Sequence, residues 1–422
     1  MPRAHGCHMR CRWVTVITFA LVAFGGRPVR ADTRGGLDAF VGEVLERNPS
    51  LKAGASRRDA FRQEAGAAGL YPDPSVAVMV DRVPGGVEMP MIRYQVSQMF
   101  PWPGKLDLMA GAVERQGDGA DADLEIRKLD LRAEAKRDYL MLLLNAKRRE
   151  VNRASRGVAA TIASAALGRY SAALGGHHEV ARAQVEVTAL DAELLNLDGE
   201  RTSMVAMLNA LRDRPVDTPI ATPADTVSPA PDEALAALIE RAIHRRPELN
   251  RMAAMRDESQ TMAQLARKEP YPDLMGSVWL NQNIGAPVGF GGMIGATIPV
   301  FGVSRQRHRA AAFDARARGA EEDQSAMRAM IRFEVTDALT RAQTATRLLD
   351  LLRTVALPKA RESFESSLAG YGAATVDIVG LLDARRALQT TQLTIAEAHV
   401  SREMALAQLE RAVGAPLRGE MK

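Results

Sequence analysis

Apolar residues along this chain follow two different periodicities. A period near 3.6 residues marks long stretches and predicts helices over residues 33–47, 50–70, 104–151, 155–212, 303–356 and 358–413. A period of two residues marks four shorter stretches and predicts strands at 75–83, 92–100, 274–282 and 292–300. The chain is therefore predicted to be mainly α-helical, with two β-hairpins set between long helices.

The order of these elements is written twice. Asn48-Pro49-Ser50-Leu51 opens one helical run and Arg246-Pro247-Glu248-Leu249 opens another, with the two prolines 247 − 49 = 198 residues apart. Tyr71-Pro72-Asp73-Pro74 ends the first run and Tyr271-Pro272-Asp273 ends the second. A period near 200 residues is too long for a solenoid and indicates two internal repeats. We divide the chain into 32–213 and 233–415 as the repeats, 214–232 as a proline-containing linker, and 416–422 as a C-terminal tail.

Residues 1–31 are predicted to be a secretory signal peptide. Arginines precede an apolar stretch that runs from about Trp13 to Gly25, which is too short to span a bilayer. Val29-Arg30-Ala31 places small residues at the usual cleavage positions, so the mature chain should begin at Asp32. An uncleaved anchor is the alternative.

Removing this segment changes what the composition implies. The leader holds five arginines and no acid, so the formal charge of +4 becomes 4 − 5 = −1 for the mature chain. A chain without excess positive charge has no electrostatic reason to bind nucleic acid. Cys7 and Cys11 also leave with it, which excludes disulfides, cysteine-ligated metals and cysteine nucleophiles from the mature chain. The low aromatic content of 5% and the charged content of 25% are typical of long helices packed along their length.

Four strands of nine or ten residues have the span of tilted transmembrane strands. Four strands cannot close a barrel, and an open sheet edge cannot lie in lipid. Three copies would supply twelve strands, so we expect a homotrimer with a β-barrel continued by a coiled-coil helical tunnel. The alternative is a soluble hairpin packed on the helices.

The chain resembles the outer-membrane efflux proteins of the TolC family over residues 33–415. The two sets of proline-containing motifs above carry the likeness, together with Gln98 to Leu106, Arg169-Tyr170, Gly370-Tyr371 and Val379 to Ala384. The Phe100-Pro101-Trp102-Pro103-Gly104-Lys105 turn is most similar to the heavy-metal (CusC/CzcC-like) branch, which serves tripartite pumps of the RND class.

The resemblance implies a passive exit duct in the outer membrane of a Gram-negative cell, with a periplasmic extension. It implies a periplasmic adaptor (membrane fusion) protein at the helical tips, an inner-membrane RND pump as an indirect partner, no cofactor and no catalytic residue. The cargo would be heavy-metal cations, and the alternatives are a drug-efflux channel, a type I secretion channel, and a periplasmic coiled-coil adaptor. A secreted hydrolase is disfavoured, because the sequence lacks the nucleophile-elbow and zinc-protease motifs.

The resemblance also implies a gate at two helix–turn–helix tips near Tyr170 and Tyr371. Tyr371 matches a tyrosine that bonds an acid of the first tip, here Glu179. Asp383 matches one acidic ring of the entrance, and the alternative for it is a helix-face carboxylate paired with Arg385 or Arg386. Four family positions differ in this chain: an arginine latch position is Val376, a second ring position is Gly380, and two tip glycines are Ala173 and Ala374.

Two further sets of residues could bind metal, although a plainer role is open for each. His177-His178 at the first tip could hold a metal ion, sense pH, form a solvated turn, or contact the adaptor. Met89 and Met91 in the first external loop have thioethers that suit Cu(I), but methionine also fills gaps.

Overall fold

The computed structural model describes residues 36–81, 91–221, 228, 233–283, 287–298 and 302–417. The predicted signal peptide and Met89 lie outside these described residues. Met91 is the first residue of a strand.

The described residues of the first half form four helices and two strands: α1 (Gly36–Arg47), α2 (Pro49–Ala68), β1 (Ser75–Asp81), β2 (Met91–Phe100), α3 (Lys105–Ser171) and α4 (His177–Leu211). The second half follows the same order with α5 (Leu235–Arg245), α6 (Pro247–Lys268), β3 (Asp273–Asn283), β4 (Gly289–Thr297), α7 (Gly302–Leu351), a π-helical turn (Leu352–Ala356), α8 (Leu357–Gly372) and α9 (Ile378–Val413). Pro49 and Pro247 both occupy the first helical turn, where a missing N–H costs nothing.

The predicted helix break at 151–155 is wrong. Helix α3 runs through it without interruption for 67 residues, a length of about 100 Å. No proline lies in this stretch, and Asn152 and Ser155 are buried within the helix, so tertiary packing overrides the weak helix propensity of the local sequence. The chain reverses later, at 172–176.

The predicted break near Pro358 is also wrong. The π-helical turn precedes this proline, and the N–H of Leu357 bonds to Leu352 O at the end of the turn. Proline is tolerated in the first turn of α8 because the wider turn before it removes the need for a regular helical bond. The second reversal therefore comes at 373–377.

Strand β4 begins and ends three residues earlier than the predicted 292–300. Its start is rich in glycine, which hides the alternating pattern, and the indole of Trp279 on β3 lies against Gly291. A side chain at Gly291 would come within 2.6 Å of that indole.

The four strands form one antiparallel sheet in the order β1-β2-β3-β4. The central pair β2 and β3 joins the two halves of the chain, with Val96 opposite Val278 and Tyr94 opposite Leu280. At the end of the sheet that joins the helices, Lys105 Nζ donates to Asp273 Oδ1 at 2.8 Å and to Tyr271 O at 2.9 Å. Lys105 is buried, so this ion pair fixes the start of α3 to the start of β3.

Helix α3 is the centre of the helical part and packs against α2, α6, α4 and α9. Its buried leucines, among them Leu131 and Leu142, form a core with α1 and α4. The second half builds a matching core from Ile331, Val335 and Leu409. The residue before each helix-opening proline donates a side-chain hydrogen bond to a backbone carbonyl far along the chain. Asn48 Nδ2 donates to Leu211 O at 2.7 Å, and Arg246 Nη1 donates to Ala412 O at 3.0 Å.

Candidate functional site

The sheet has one apolar and one largely polar face. Because side chains alternate along each strand, the register places one set of residues on the same side. Two glutamines, Gln98 and Gln282, lie on that side, and its other large side chains are apolar or aromatic: Val76, Val78, Val80, Ile92, Tyr94, Val96, Phe100, Leu274, Val278, Leu280, Phe290 and Ile294, with Ala296 beside them. Phe290 is 91% exposed and Ile294 is 89% exposed, so no described part of the chain covers this end of the face.

The opposite face carries hydrogen-bonding side chains. The hydroxyls of Ser75 and Ser97 lie 2.7 Å apart, and Arg93 Nε donates to Asn281 Oδ1 at 3.0 Å. The outer edges of β1 and β4 pair with no other strand among the described residues. No helix in the described part of the chain is long and apolar enough to cross a bilayer.

Two helical hairpins end in turns of the same geometry. The turns lie at residues 172–176 and 373–377, and we call each turn with its flanking helix ends a tip: residues 169–182 are the first tip and residues 370–383 the second. Leu174 N donates to Arg169 O at 2.8 Å, and Thr375 N donates to Gly370 O at 2.9 Å. Ala173 has φ 56° and Ala374 has φ 60°, the left-handed region that favours glycine. The backbone therefore favours glycine at both positions, and alanine costs about 1 kcal/mol at each.

Tyr371 joins the two hairpins. Its side chain is only 4% exposed, and its hydroxyl donates to Glu179 Oε2 at 3.2 Å. Burial, reinforced by the Glu179 carboxylate, raises the pKa of Tyr371, so the hydroxyl keeps its proton at neutral pH.

Arg169 braces the same tyrosine from the first hairpin. Its guanidinium lies 4.9 Å from the centroid of the Tyr371 ring, and Nη1 donates to Tyr371 O at 3.1 Å. Nη2 donates to Leu174 O at 3.2 Å, so one side chain holds both the first tip and Tyr371. Below the ring lies an apolar cluster of Ile162, Ala166, Val180, Ala183, Ile378, Leu381 and Leu382.

Asp383 lies on the solvent face of α9, next to this cluster. Its side chain is 64% exposed, and Oδ1 is 3.6 Å from Arg386 Nη1, one turn along the helix. The side chain is thus free to face water, as an entrance carboxylate would. The described chain does not bring Asp383 together with Tyr371 or Glu179 in one hydrogen-bonded set.

Glu186 is a second cross-hairpin residue that the sequence analysis missed. It is 7% exposed on α4 and bonds both Arg385 and Arg386 of α9, with Arg386 Nε 3.2 Å from each carboxylate oxygen. The hydrogen bond from Arg386 lowers the pKa of Glu186 most, and the charge of Arg385 adds to it. Arg385 is 2% exposed, so Glu186 supplies the countercharge for a buried cation.

A faint signal for Glu186 did exist in the sequence. An acid in the long apolar pattern of α4 faces two adjacent arginines of α9, but only the packing of the hairpins reveals that they meet.

Tyr170 and the two histidines remain at the surface. Tyr170 is 45% exposed, and its ring meets the ring of His177 edge-on at 5.6 Å. His178 is exposed on the same turn. Within the described ranges, no group of three or more His, Cys, Asp or Glu side chains is placed to hold a metal ion.

Sequence and structure comparisons place this arrangement among known proteins. Residues 238–415, from α5 to just beyond α9, match the family described as outer membrane efflux protein. No curated protein gives a significant match to the chain.

Several solved structures share the fold. The outer-membrane channel OprN is 18% identical with a TM-score of 0.77, and the match covers 90% of this chain and 90% of that one. The outer membrane protein VceC of Vibrio cholerae is 16% identical with a TM-score of 0.77, covering 90% and 97%. CusC is 13% identical with a TM-score of 0.77, covering 90% and 92%. The described chain therefore has the fold of outer-membrane efflux channels, mostly helical with a small antiparallel sheet.

Proposed function

We propose that the whole chain is an outer-membrane channel of the TolC family and serves as the exit duct of a tripartite efflux system. One observation carries the proposal: a four-stranded sheet, open at both edges and apolar on one exposed face, stands at the end of helices up to about 100 Å long. A sheet of this kind needs lipid on one face and further strands at its edges. A duct of this type is passive, so the chain is not an enzyme, and the pump supplies the energy.

The proposed assembly is a homotrimer. Three copies would contribute twelve strands and remove the open edges of β1 and β4. The apolar face would then contact outer-membrane lipid, and the polar face with Arg93 and Asn281 would line the water-filled lumen. The helices would continue the duct through the periplasm to the two tips, where an adaptor protein docks.

The proposed gate is the contact between the two hairpins. Tyr371 with Glu179, and Arg385 and Arg386 with Glu186, tie α8 and α9 to α4. Opening the entrance requires the hairpins to separate, which breaks both contacts. Asp383 would face the entrance three times about the threefold axis and attract cations.

For cargo, we propose heavy-metal cations, on the strength of the Phe100 to Lys105 turn alone. The likenesses to OprN, VceC and CusC have equal TM-scores, so the fold favours no branch of the family. A drug-efflux or type I secretion channel remains the alternative cargo class, and deletion strains challenged with metal salts and with organic toxicants would separate them.

The barrel assignment has a direct test in two neighbouring residues of β4. Ile294 lies on the apolar face, and Met293 lies on the other face opposite Ser277. Arginine on the lipid side near the midplane costs about 2–4 kcal/mol, whereas arginine in the lumen is hydrated. We expect Ile294→Arg to abolish trimer recovery in outer-membrane fractions and Met293→Arg to preserve it. Equal recovery of the two variants would refute the assignment of faces, and a wild-type chain that crosslinks only as a monomer would refute the duct.

A further inference from the structure

The first two turns of α7 hold an unusual cluster of positive charge. Arg305, Arg307, His308 and Arg309 fall within eight residues of the helix start at Gly302, and the first turn has no acid. Cations at a helix N-terminus oppose the helix dipole, so this arrangement is unfavourable by itself. All four side chains are exposed. We call these four residues the α7 basic cluster.

The part of the chain that the structure describes provides no counterion for the cluster. None of the three arginines forms an ion pair or a side-chain hydrogen bond within the described residues. The nearest acid along the helix, Asp314, is already paired with Arg267 at 2.6 Å. The cluster is therefore open to an anion from outside the chain.

The equivalent position in the first half shows that the fold does not require this charge. Asp107 of α3 occupies the position of Arg305, 198 residues earlier. The nearby Lys105 is buried against Asp273 rather than exposed. A basic start is thus a property of α7 and not of the architecture.

The cluster surrounds the exposed arc of the helix. Gln306 and Ala310 are buried and mark the side of α7 that packs on the protein. At 100° per residue, Arg305 and Arg307 lie on opposite flanks of that side, and His308 lies behind it. Both edges of the exposed arc therefore carry a guanidinium.

The depth of the cluster matches a lipid headgroup layer. Only residues 298–301 separate β4 from α7, so the helix begins at the rim of the sheet. With a rise of about 1.5 Å per residue, Arg305 lies about 5 Å and Arg309 about 11 Å beyond the helix start. The headgroup layer is about 5–8 Å thick, and long arginine side chains reach back to it.

We propose that the α7 basic cluster binds the phosphates of anionic phospholipids in the leaflet that faces the periplasm. The inference rests on the proposed outer-membrane location, which puts the rim of the sheet at the membrane surface. Arginine suits this partner because its planar guanidinium bonds phosphate oxygens in pairs. Bound lipid would fix the height of the barrel against the start of the helical tunnel.

The test uses the purified full-length trimer in neutral detergent and native mass spectrometry. Dimyristoyl-phosphatidylglycerol and dimyristoyl-phosphatidylcholine are titrated separately. We expect the wild type to retain phosphatidylglycerol preferentially, and the triple variant Arg305→Gln/Arg307→Gln/Arg309→Gln to lose that preference by at least about tenfold, from roughly fivefold per arginine. High salt should weaken the wild-type preference in the same direction.

A matched control removes the same number of charges farther along α7. Arg328, Arg332 and Arg347 are exposed and begin about 40 Å from the helix start, so their replacement by glutamine should leave lipid retention unchanged. Equal loss in both triple variants, or no preference in the wild type, would overturn the proposal.

A triple 305/307/309 variant with normal lipid retention but fewer trimers would show that the cluster contacts a second copy instead. A chain that never reaches the outer membrane would refute the proposed function, whereas a conducting trimer without lipid preference would refute only this inference.

Discussion

The two hairpin tips have the same backbone but different side-chain chemistry. Each tip has a tyrosine one residue before its helix ends, Tyr170 or Tyr371, and an alanine at positive φ three residues later. Positions in the two tips correspond at an offset of 371 − 170 = 201. The tyrosines have opposite environments, since Tyr170 is 45% exposed and Tyr371 is 4% exposed.

The difference lies in what each tip offers its neighbour. The first tip supplies Arg169 and Glu179, both of which contact Tyr371. The second tip supplies no equivalent partner to Tyr170, since the position that matches Glu179 is Gly380. Within one chain, the cross-hairpin link is therefore directional: the first tip clamps a residue of the second. Two turns with the same backbone geometry therefore differ in the side-chain contacts that they make across the hairpins.

The largest effect should come from removing Glu186, which lies deeper in the same interface. Glu186→Gln leaves Arg385 buried without a countercharge, and breaking a buried pair in this way costs about 3 kcal/mol. We expect faster hydrogen exchange at the amides of α4 and α9 beside the tips, together with a higher resting conductance in planar bilayers.

The control for Glu186 is Asp191 on the same helix. Its ion pair with Arg156 is exposed on both sides, so Asp191→Asn should change stability by less than about 1 kcal/mol. The pKa of Glu186 is lowered in the folded protein. Its contribution to the free energy of unfolding is therefore complete above the ordinary glutamate pKa and is lost only as pH falls through the depressed pKa. Loosening of the tips between pH 8 and pH 6 would contradict this assignment.

The two tyrosines provide the direct test of the comparison. Tyr371→Phe removes one buried hydrogen bond to a carboxylate, worth about 1–2 kcal/mol, and should raise resting conductance. Tyr170→Phe should change neither stability nor conductance, because its hydroxyl has no described partner across the hairpins.

The Tyr371 link also has a predicted pH profile. The pKa of Tyr371 is raised, so the folded state favours the protonated phenol. The contribution of the link to the free energy of unfolding is therefore complete below the ordinary tyrosine pKa. It should be lost only as pH rises above about 10. Equal conductance changes in the two phenylalanine variants would mean that the link does not hold the entrance.

The sequence predicted which residues pair at the tips better than it predicted where the chain reverses. Motif likeness identified Tyr371 and Glu179 as partners, and the periodicities identified all four strands. The positions at which the chain reverses could not be predicted correctly. Burial keeps Asn152 within α3, and the π-helical turn before Pro358 lets the helical path continue into α8. Glu186 was missed because its two arginines lie about 200 residues away and only helix packing brings them close.

The strained alanines give a smaller effect that tests whether the turns are really equivalent. Ala173→Gly and Ala374→Gly each relieve the left-handed strain, while the added freedom of the unfolded chain offsets part of the gain. We expect a net gain of about 0.5 kcal/mol at each tip, seen as slower hydrogen exchange of the turn amides. A gain at one tip alone would show that the two turns differ in strain.

Among the gate residues, Asp383 should have the smallest effect on stability. At this position the two tips carry opposite charges. The matching position in the first tip is Arg182, and both side chains are exposed. Asp383→Asn removes only an exposed pair with Arg386, so the free energy of unfolding should change by less than about 0.5 kcal/mol. In the proposed trimer, however, three carboxylates at the entrance attract cations, so cation preference and block by multivalent cations should both fall. Arg182→Gln is the matched control, and because it removes positive charge from the equivalent position, it should raise cation preference if that position also faces the entrance. If both variants conduct like the wild type, the entrance lies elsewhere, and Asp383 is a surface carboxylate whose only partner in the described chain is Arg386.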